Sequence, residues 1–438
     1  MPEIVPFRGL LFDASKASPE RCWAPPYDVI SPQDRERLAA QDPHNVVRLI
    51  LPKDDHGGDS DGRYAHAALI LRAWIGDGVL RRDEEPAYYR YHQTFTAAGK
   101  TTTRKGFICR MRLHRFSEGI VLPHERTLSG PKADRLKLTR ATECQLSQVF
   151  GMYSDPERKS DAPFVAVERQ KPDQEGTTSD GVLQKLWRLT EPAAIAEIGR
   201  IVAERKVYIA DGHHRYETML AYRDEARAAG RTAPHAATEF VTTFLCNMDD
   251  PGLIVLPTHR VIRGLAKLDW ADLLARARTW FTVEEATRPE TEALRTELGR
   301  RGESAPSFAL LSGAKFAWLT VRRDVDLASH GVLAGPAVLQ TLDVSLLHAL
   351  LIENLLGIDR AAQEQQTNLT YVKALEAAID EAGKPENQLV VVMNPTKVSE
   401  VRAVADAGEV MPQKSTFFYP KLASGLVMNP VGRSGGDV

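Results

Sequence analysis

The 438-residue sequence predicts a mixed α/β protein with more than one compact unit. Short β-branched and aromatic runs alternate with segments of helical period, the pattern of strands and helices packed in layers. The length suits two or three domains at roughly 100–200 residues each. The character also changes near residue 265, where a new series of helices and strands begins.

The most informative stretch is Lys206 to Gly230, KVYIADGHHRYETMLAYRDEARAAG. Val207, Tyr208, Ile209 and Ala210 read as a short buried strand. Tyr216, Met219 and Leu220 then recur at helical spacing until Gly230 stops the helix. A strand therefore feeds a glycine turn, Asp211-Gly212-His213-His214-Arg215, that opens a helix. Such a turn aims backbone N–H groups and the positive helix end away from the sheet, where anions and phosphates bind. Arg215 adds a planar fork of donors. Asp211, at the carboxyl end of the strand, is placed to hold Mg²⁺ or to orient a substrate.

Taken in order, residues 4–12 read as a strand. Ser31 caps a helix whose first position is Pro32. NVVRLILP (Asn45 to Pro52) reads as a buried strand, and a helix follows through Trp74 to about Gly78. AYYRYHQTF and TTTRKGFICRMRL form a hairpin across residues 97–100. Gly119 to Asp155 holds Pro123, His124, Glu125, Arg126 and Thr127 after a short apolar run, with Lys132 and Arg135 at a helix start. By itself this is a surface charge cluster; beside a bound phosphate, Glu125 is a natural proton acceptor. Glu157 to Thr178 has no period and reads as a long loop or a mobile insertion. Thr190 caps a helix with Pro192 in its first turn. AATEFVTTFLCNM and LIVLPTHRVI are strands, the second carrying Thr258-His259-Arg260, either a hydrogen-bonded turn or a substrate contact. Beyond residue 265, helices around Trp270–Ala277 and Glu290–Gly299 and a helix from Asp343 alternate with strands SFALLSG, FAWLTV and QLVVVMN. Lys414, Ser415 and Thr416 form either an anion site or a solvated turn.

Composition narrows the classes. Lys plus Arg total 56 against 58 Asp plus Glu, a net charge of -2, which does not suit a global nucleic-acid or membrane binder. Cys22, Cys109, Cys144 and Cys246 are scattered without a CxxC pair, as expected of reduced thiols in a cytoplasm. MPEIVPFRGLLFD has no basic region followed by an apolar run, so no signal peptide is expected. No apolar run reaches the roughly 18 residues of a membrane span. There is no GxxxxGK[ST] loop, no GxGxxG after a strand and no HExxH pair, which argues against a Walker site and against zinc at His213 and His214.

APPYDVIS, NVVRLILP, LPHERT, GPKADRLKL, ADGHHRYET, LPTHR and KSTFFYPKLASGLV resemble a conserved, uncharacterised bacterial and archaeal family across nearly the whole chain. That family is similar to the free serine kinases, which share the ParB/sulfiredoxin-like fold. The resemblance implies an α/β (α+β) protein with a ParB/sulfiredoxin-like core and a second α/β unit. It implies a strand-rich region over 1–115, the phosphate-binding core over 116–264, a C-terminal α/β unit with closing tail over 265–430 and a disordered tail over 431–438. The 156–190 insertion has no counterpart in the small kinases.

The kinase Pro-His-Glu motif matches Pro123-His124-Glu125, which implies Glu125 as the catalytic base. The Asp-Gly-His-His-Arg motif matches Asp211 to Arg215, with Asp211 essential and Gly212, His213, His214 and Arg215 around the nucleotide phosphates. A Lys-Thr-Thr element is matched less closely by Lys414-Ser415-Thr416, and His124 and Arg260 are weaker candidates for substrate or phosphate. Sulfiredoxins carry a cysteine where His213 stands, so sulfinic-acid reduction is not implied. ParB proteins have a helix-turn-helix domain, and no basic recognition helix is seen here.

The implied activity is phosphoryl transfer from ADP or ATP, with Mg²⁺, to the hydroxyl of a small metabolite, in the first instance free L-serine giving O-phosphoserine. A ParB-like nucleotide-hydrolysing switch and a metabolite sensor without chemistry are the alternatives. The partners implied are a nucleotide and an amino acid, with no nucleic acid and no membrane. A homo-oligomer stays open.

Overall fold

The computed structural model describes residues 1–53, 61–97, 99–127, 129–231, 233–325, 327, 336–412 and 414–432. The chain is a mixed α/β protein in two compact units, each built on its own sheet. Unit 1 comprises Met1–Pro123, Thr127–Ile254 and Pro420–Val438; unit 2 comprises His124–Arg126 and Val255–Tyr419.

Unit 1 holds a nine-stranded sheet. Its strands run in the order Val121–Leu122, Val207–Asp211, Val149–Tyr153, Phe240–Asn247, Lys100–Arg112, Tyr88–Ala97, Leu183–Leu189 and Gln174–Thr177, with Ile4–Val5 paired to Lys100–Arg112. Residues from 1–115 and from 116–264 thus share one sheet: the strand-rich region expected to pack on the core contributes strands to the core's own sheet. The segment from Pro420 also returns to unit 1 and does not close the C-terminal unit. Val207–Asp211 runs parallel to Val121–Leu122 and antiparallel to Val149–Tyr153. Tyr88, Phe107, Val149, Ile209, Tyr216 and Met219 meet in the core beneath the helix His213–Ala228.

Several local expectations change. Residues 4–12 split into Ile4–Val5 and Leu10–Phe12. Val47–Ile50 is a buried helical turn, not a strand, and Asn45 Oδ1 accepts from Val47 N at 3.0 Å. Glu157–Thr178 is ordered, with helical turns at Lys159–Phe164 and Val165–Glu168 and a strand at Gln174–Thr177. The helix Pro192–Ala203 is capped by Glu191 rather than Thr190, because the Glu191 carboxylate accepts from Ala193 N and Ala194 N at 2.9 and 2.6 Å. Val431, placed in the expected disordered tail, is buried and donates its N–H to Glu143 O at 2.8 Å. Residues 433–438 of that tail lie outside the described residues.

Unit 2 holds a six-stranded antiparallel sheet in the order Phe281–Glu285, Lys315–Val321, Ser307–Ser312, Asn387–Met393, His259–Arg263, Leu369–Val372. Helices Thr291–Ser304 and Leu375–Ala382 bury Leu294, Leu298, Leu375 and Ala378 against Val261, Ala309, Trp318 and Val390. The expected helix from Asp343 runs on as π-helix over Leu347–Leu355, burying Leu350, Leu351 and also His348. Among the described residues, no helix is long and apolar enough to cross a membrane.

Candidate functional site

In unit 1 the strand Val207–Asp211 is buried through Ala210 and ends at the half-buried Asp211. Its register against Val149–Tyr153 shifts between Ile209 and Asp211, which places a bulge immediately before the aspartate. A bulge of this kind re-aims the side chain that follows it. Gly212 then takes φ 90°, a left-handed value that side chains disfavour, and serves as N-cap of His213–Ala228. Glycine has no side chain with which to cap the helix start, so this end keeps its anion-attracting character. Behind the turn, Tyr216 locks the helix: its hydroxyl donates to His114 O at 2.8 Å and accepts from His114 N at 2.9 Å.

Asp211 sits between two cations. Its Oδ1 accepts from Lys421 Nζ at 2.6 Å and its Oδ2 from Arg215 Nη2 at 2.6 Å. The side chains of Asp211, Arg215 and Lys421 are only 18%, 11% and 14% exposed. Burial pushes the Asp211 carboxyl up, but Lys421 and Arg215 outweigh it and hold the group well below the usual carboxylate range. Two cations thus converge on one carboxylate at the helix start. Arg215 Nη1 also donates to Gln148 O. Lys421 is fixed through its backbone, its carbonyl accepting from Gln93 Nε2 at 3.0 Å, while Arg104 Nη2 donates to the preceding Pro420 O at 2.6 Å. His213 is buried and His214 half-buried on the first helical turn. Lys132, expected near a helix start, pairs with Glu217 on the second turn at 2.8 Å.

A resident Mg²⁺ does not fit these residues. Both Asp211 oxygens carry ion pairs, and among the described residues no group of three or more His, Cys, Asp or Glu side chains is arranged to hold a metal.

In unit 2 the structure brings His124 and Glu125 to the Lys-Ser-Thr element. Glu125 and Met411 form a parallel bridge, and Met411 N donates to His124 O at 2.8 Å. His124 is buried and its Nε2 pairs with Thr416 Oγ1 at 2.9 Å. Glu125 Oε1 accepts from the backbone N–H of Lys414. Lys414 itself has φ 58°, the left-handed region, and its carbonyl accepts from Thr258 Oγ1 at 2.6 Å. Ser415 is buried and donates to Pro412 O at 2.5 Å, so its hydroxyl supports the loop.

Arg260, a weaker candidate for substrate or phosphate, lies in the interior of unit 2. It is fully buried, with Nη1 donating to Thr258 Oγ1 and Met393 Sδ, each at 2.8 Å, and Nη2 to His348 Nε2 at 3.0 Å. Tyr371 lies across its plane at 5.3 Å. The Thr258-His259-Arg260 knot is therefore core, the hydrogen-bonded alternative. Sequence reasoning missed Lys421: it lies in KSTFFYPKLASGLV, but its pairing with Asp211 spans 210 residues.

A family model described as a protein of unknown function, DUF1015, matches residues 4–345. No curated protein matches the chain. Among solved structures, the chain is similar to a mutant free serine kinase in complex with AMP, at 12% identity over 72% of this chain and 87% of that one, TM-score 0.34. A conserved hypothetical protein from Pyrococcus furiosus is similar at 14% identity over 73% and 93%, TM-score 0.34. SbnI with a C-terminal truncation, from Staphylococcus aureus, is similar at 11% identity over 74% and 87%, TM-score 0.35. Likeness at this level transfers no activity.

Proposed function

The chain belongs to the DUF1015 family, and we propose that it is a phosphotransferase that moves a phosphoryl group from ADP or ATP to the hydroxyl of a small metabolite, free L-serine first among them. The observation that carries this reading is the turn at Asp211–Arg215. A glycine-capped helix start, with Lys421 and Arg215 gathered around the carboxylate beside it, suits phosphate oxygens.

In this reading the backbone of the turn, His213, His214 and Arg215 hold the phosphates and offset the charge that develops in transfer. Asp211 keeps Arg215 and Lys421 in place. Glu125, oriented by the Lys414 N–H, accepts the proton of the acceptor hydroxyl. The matches of Pro123-His124-Glu125 and Asp211–Arg215 to the free serine kinase motifs support the same roles.

The test is formation of O-phosphoserine from serine with ADP and with ATP, read by mass spectrometry. Nucleotide hydrolysis with no phosphorylated acceptor would replace the kinase reading with a switch. Nucleotide binding with neither product would replace it with a sensor.

A further inference from the structure

The Thr258-His259-Arg260 knot is core, yet its arginine has no carboxylate partner among the described residues. Arg260 is fully buried, and its donors go to Thr258 O, Thr258 Oγ1, Met393 Sδ and His348 Nε2. A guanidinium taken out of water without a counter-ion is costly. Its hydrogen bonds lead, within unit 2, to Glu125.

The first link is the Thr258 hydroxyl. It is buried and accepts from Arg260 Nη1 at 2.8 Å. Arginine can only donate, so the hydroxyl offers a lone pair there and its single proton goes the other way. That proton is directed at Lys414 O, 2.6 Å away. A hydroxyl that accepts from a cation is polarised and donates more strongly. The second link is Lys414. Its φ of 58° lies in the left-handed region, a strained value for a residue with a side chain. Lys414 is held there from both sides, its carbonyl by Thr258 Oγ1 and its N–H by Glu125 Oε1. The next carbonyl, Ser415 O, accepts from the buried Thr396 Oγ1 at 2.8 Å.

We propose that Thr258, polarised by Arg260, is a positioning residue for Glu125 and acts through the backbone of Lys414. The proposal rests on the reading of Glu125 as proton acceptor given above; the hydrogen bonds themselves do not. Without the hydroxyl, the carbonyl of a strained residue loses its hold, Lys414 relaxes, and its N–H turns off the Glu125 carboxylate. Nucleotide binding, assigned to the Asp211–Arg215 turn, does not depend on this chain of bonds.

Three measurements on the full chain test this: rates of O-phosphoserine formation at saturating serine and nucleotide, calorimetric titration with ADP, and hydrogen exchange at the Lys414 amide. Thr258→Val should lower kcat about 10–100-fold, as misplacement of a reacting group does, and leave ADP affinity unchanged. Thr258→Ser, which keeps the hydroxyl, should restore kcat. In a Glu125→Gln background Thr258→Val should lower the rate no further, because it acts only through the carboxylate. A merely structural role would lower the rate alike in both backgrounds, and that result overturns the proposal. So does a folded Thr258→Val protein with wild-type kcat, or a Thr258→Ser protein that loses it. If Thr258→Val does not fold, Thr258→Cys takes its place, since a thiol donates weakly. If wild type forms no O-phosphoserine, or Glu125→Gln transfers at the full rate, the reading of Glu125 as the base falls. Exchange at the Lys414 amide then decides alone. Faster exchange in Thr258→Val, slowed again in Thr258→Ser, upholds the positioning of Glu125; equal exchange in all three proteins overturns it.

Discussion

Lys421 Nζ lies 2.6 Å from Asp211 Oδ1, a contact spanning 210 residues of sequence. It ties the returning C-terminal segment of unit 1 to the end of the strand Val207–Asp211. Both side chains are mostly buried, at 14% and 18% exposed. Removing one partner of such a pair leaves an ill-compensated charge and costs about 3 kcal/mol. Lys421→Met should therefore lower stability by that order in urea unfolding at neutral pH. Adding Asp211→Asn should recover part of the loss, because the uncompensated carboxylate goes with it. A single variant within about 0.5 kcal/mol of wild type would mean the pair behaves as a surface ion pair.

Gly212 offers a second handle on the turn. A Cβ built at this position would lie 2.9 Å from the guanidinium of Arg215, and φ is 90°. Gly212→Ala should cost about 1–2 kcal/mol from the left-handed backbone alone. It should also push Arg215 off Asp211. Pyrophosphate affinity is expected to fall with stability, and titration beside thermal melting separates the two. Unchanged pyrophosphate binding in a destabilised protein would take the turn out of phosphate recognition.

The strand, turn and helix from Val207 to Ala228 were legible because the information is local: an apolar run, a glycine and a helical period in one window. Where tertiary contacts decide, the sequence misled. A short apolar run such as NVVRLILP fits a strand or a buried helical turn equally, and Asn45 tips it by holding Val47 N. The charged stretch Glu157–Thr178 has no period, yet it is ordered because distant side chains grip it: Arg90 Nε, His92 Nε2 and Lys105 Nζ reach Glu168 at 2.6, 3.2 and 3.2 Å. The Pro-His-Glu and Lys-Ser-Thr elements were singled out separately, and pairing Glu125 with the N–H of Lys414 required the fold of unit 2. The burial of Arg260, a weaker substrate or phosphate candidate in the sequence, comes from His348, Met393 and Tyr371, which are far from it in sequence and leave no local pattern to read.

That buried arginine has a consequence for acid stability. Burial, with Arg260 nearby, pushes His259 and His348 down from 6.5 to about 3. Arg260 can only donate to His348 Nε2, so His348 is neutral and offers Nδ1–H to Gln363 Oε1. Between pH 3 and 6.5 the unfolded chain binds protons that the folded one refuses, so stability is complete above about pH 6.5 and falls as pH is lowered through this window. One such histidine contributes a slope of at most about 1.4 kcal/mol per pH unit. Urea unfolding from pH 7.5 to 4.5 should show this decline, and His348→Gln should make it shallower by up to that amount. Parallel slopes for the two proteins would mean that His348 is charged in the folded state.

Glu125→Gln addresses the proposed base directly. Glu125 is tied to the loop by its backbone bridge to Met411 and by Oε1 accepting from Lys414 N. An amide oxygen can accept that same N–H, so the variant should fold with an unchanged melting temperature. Pyrophosphate and ADP affinities should also be unchanged, since the phosphates are assigned to the Asp211–Arg215 turn. What the amide cannot do is take the proton of the attacking hydroxyl. Loss of a general base typically slows a reaction about 10²–10⁴-fold. Initial rates of O-phosphoserine formation, followed by mass spectrometry at saturating serine and nucleotide, should fall by that factor. A variant that binds ADP normally and transfers at the wild-type rate would remove Glu125 as the base. The acceptor would then have to lose its proton elsewhere, and the turn's phosphate role would stand without it.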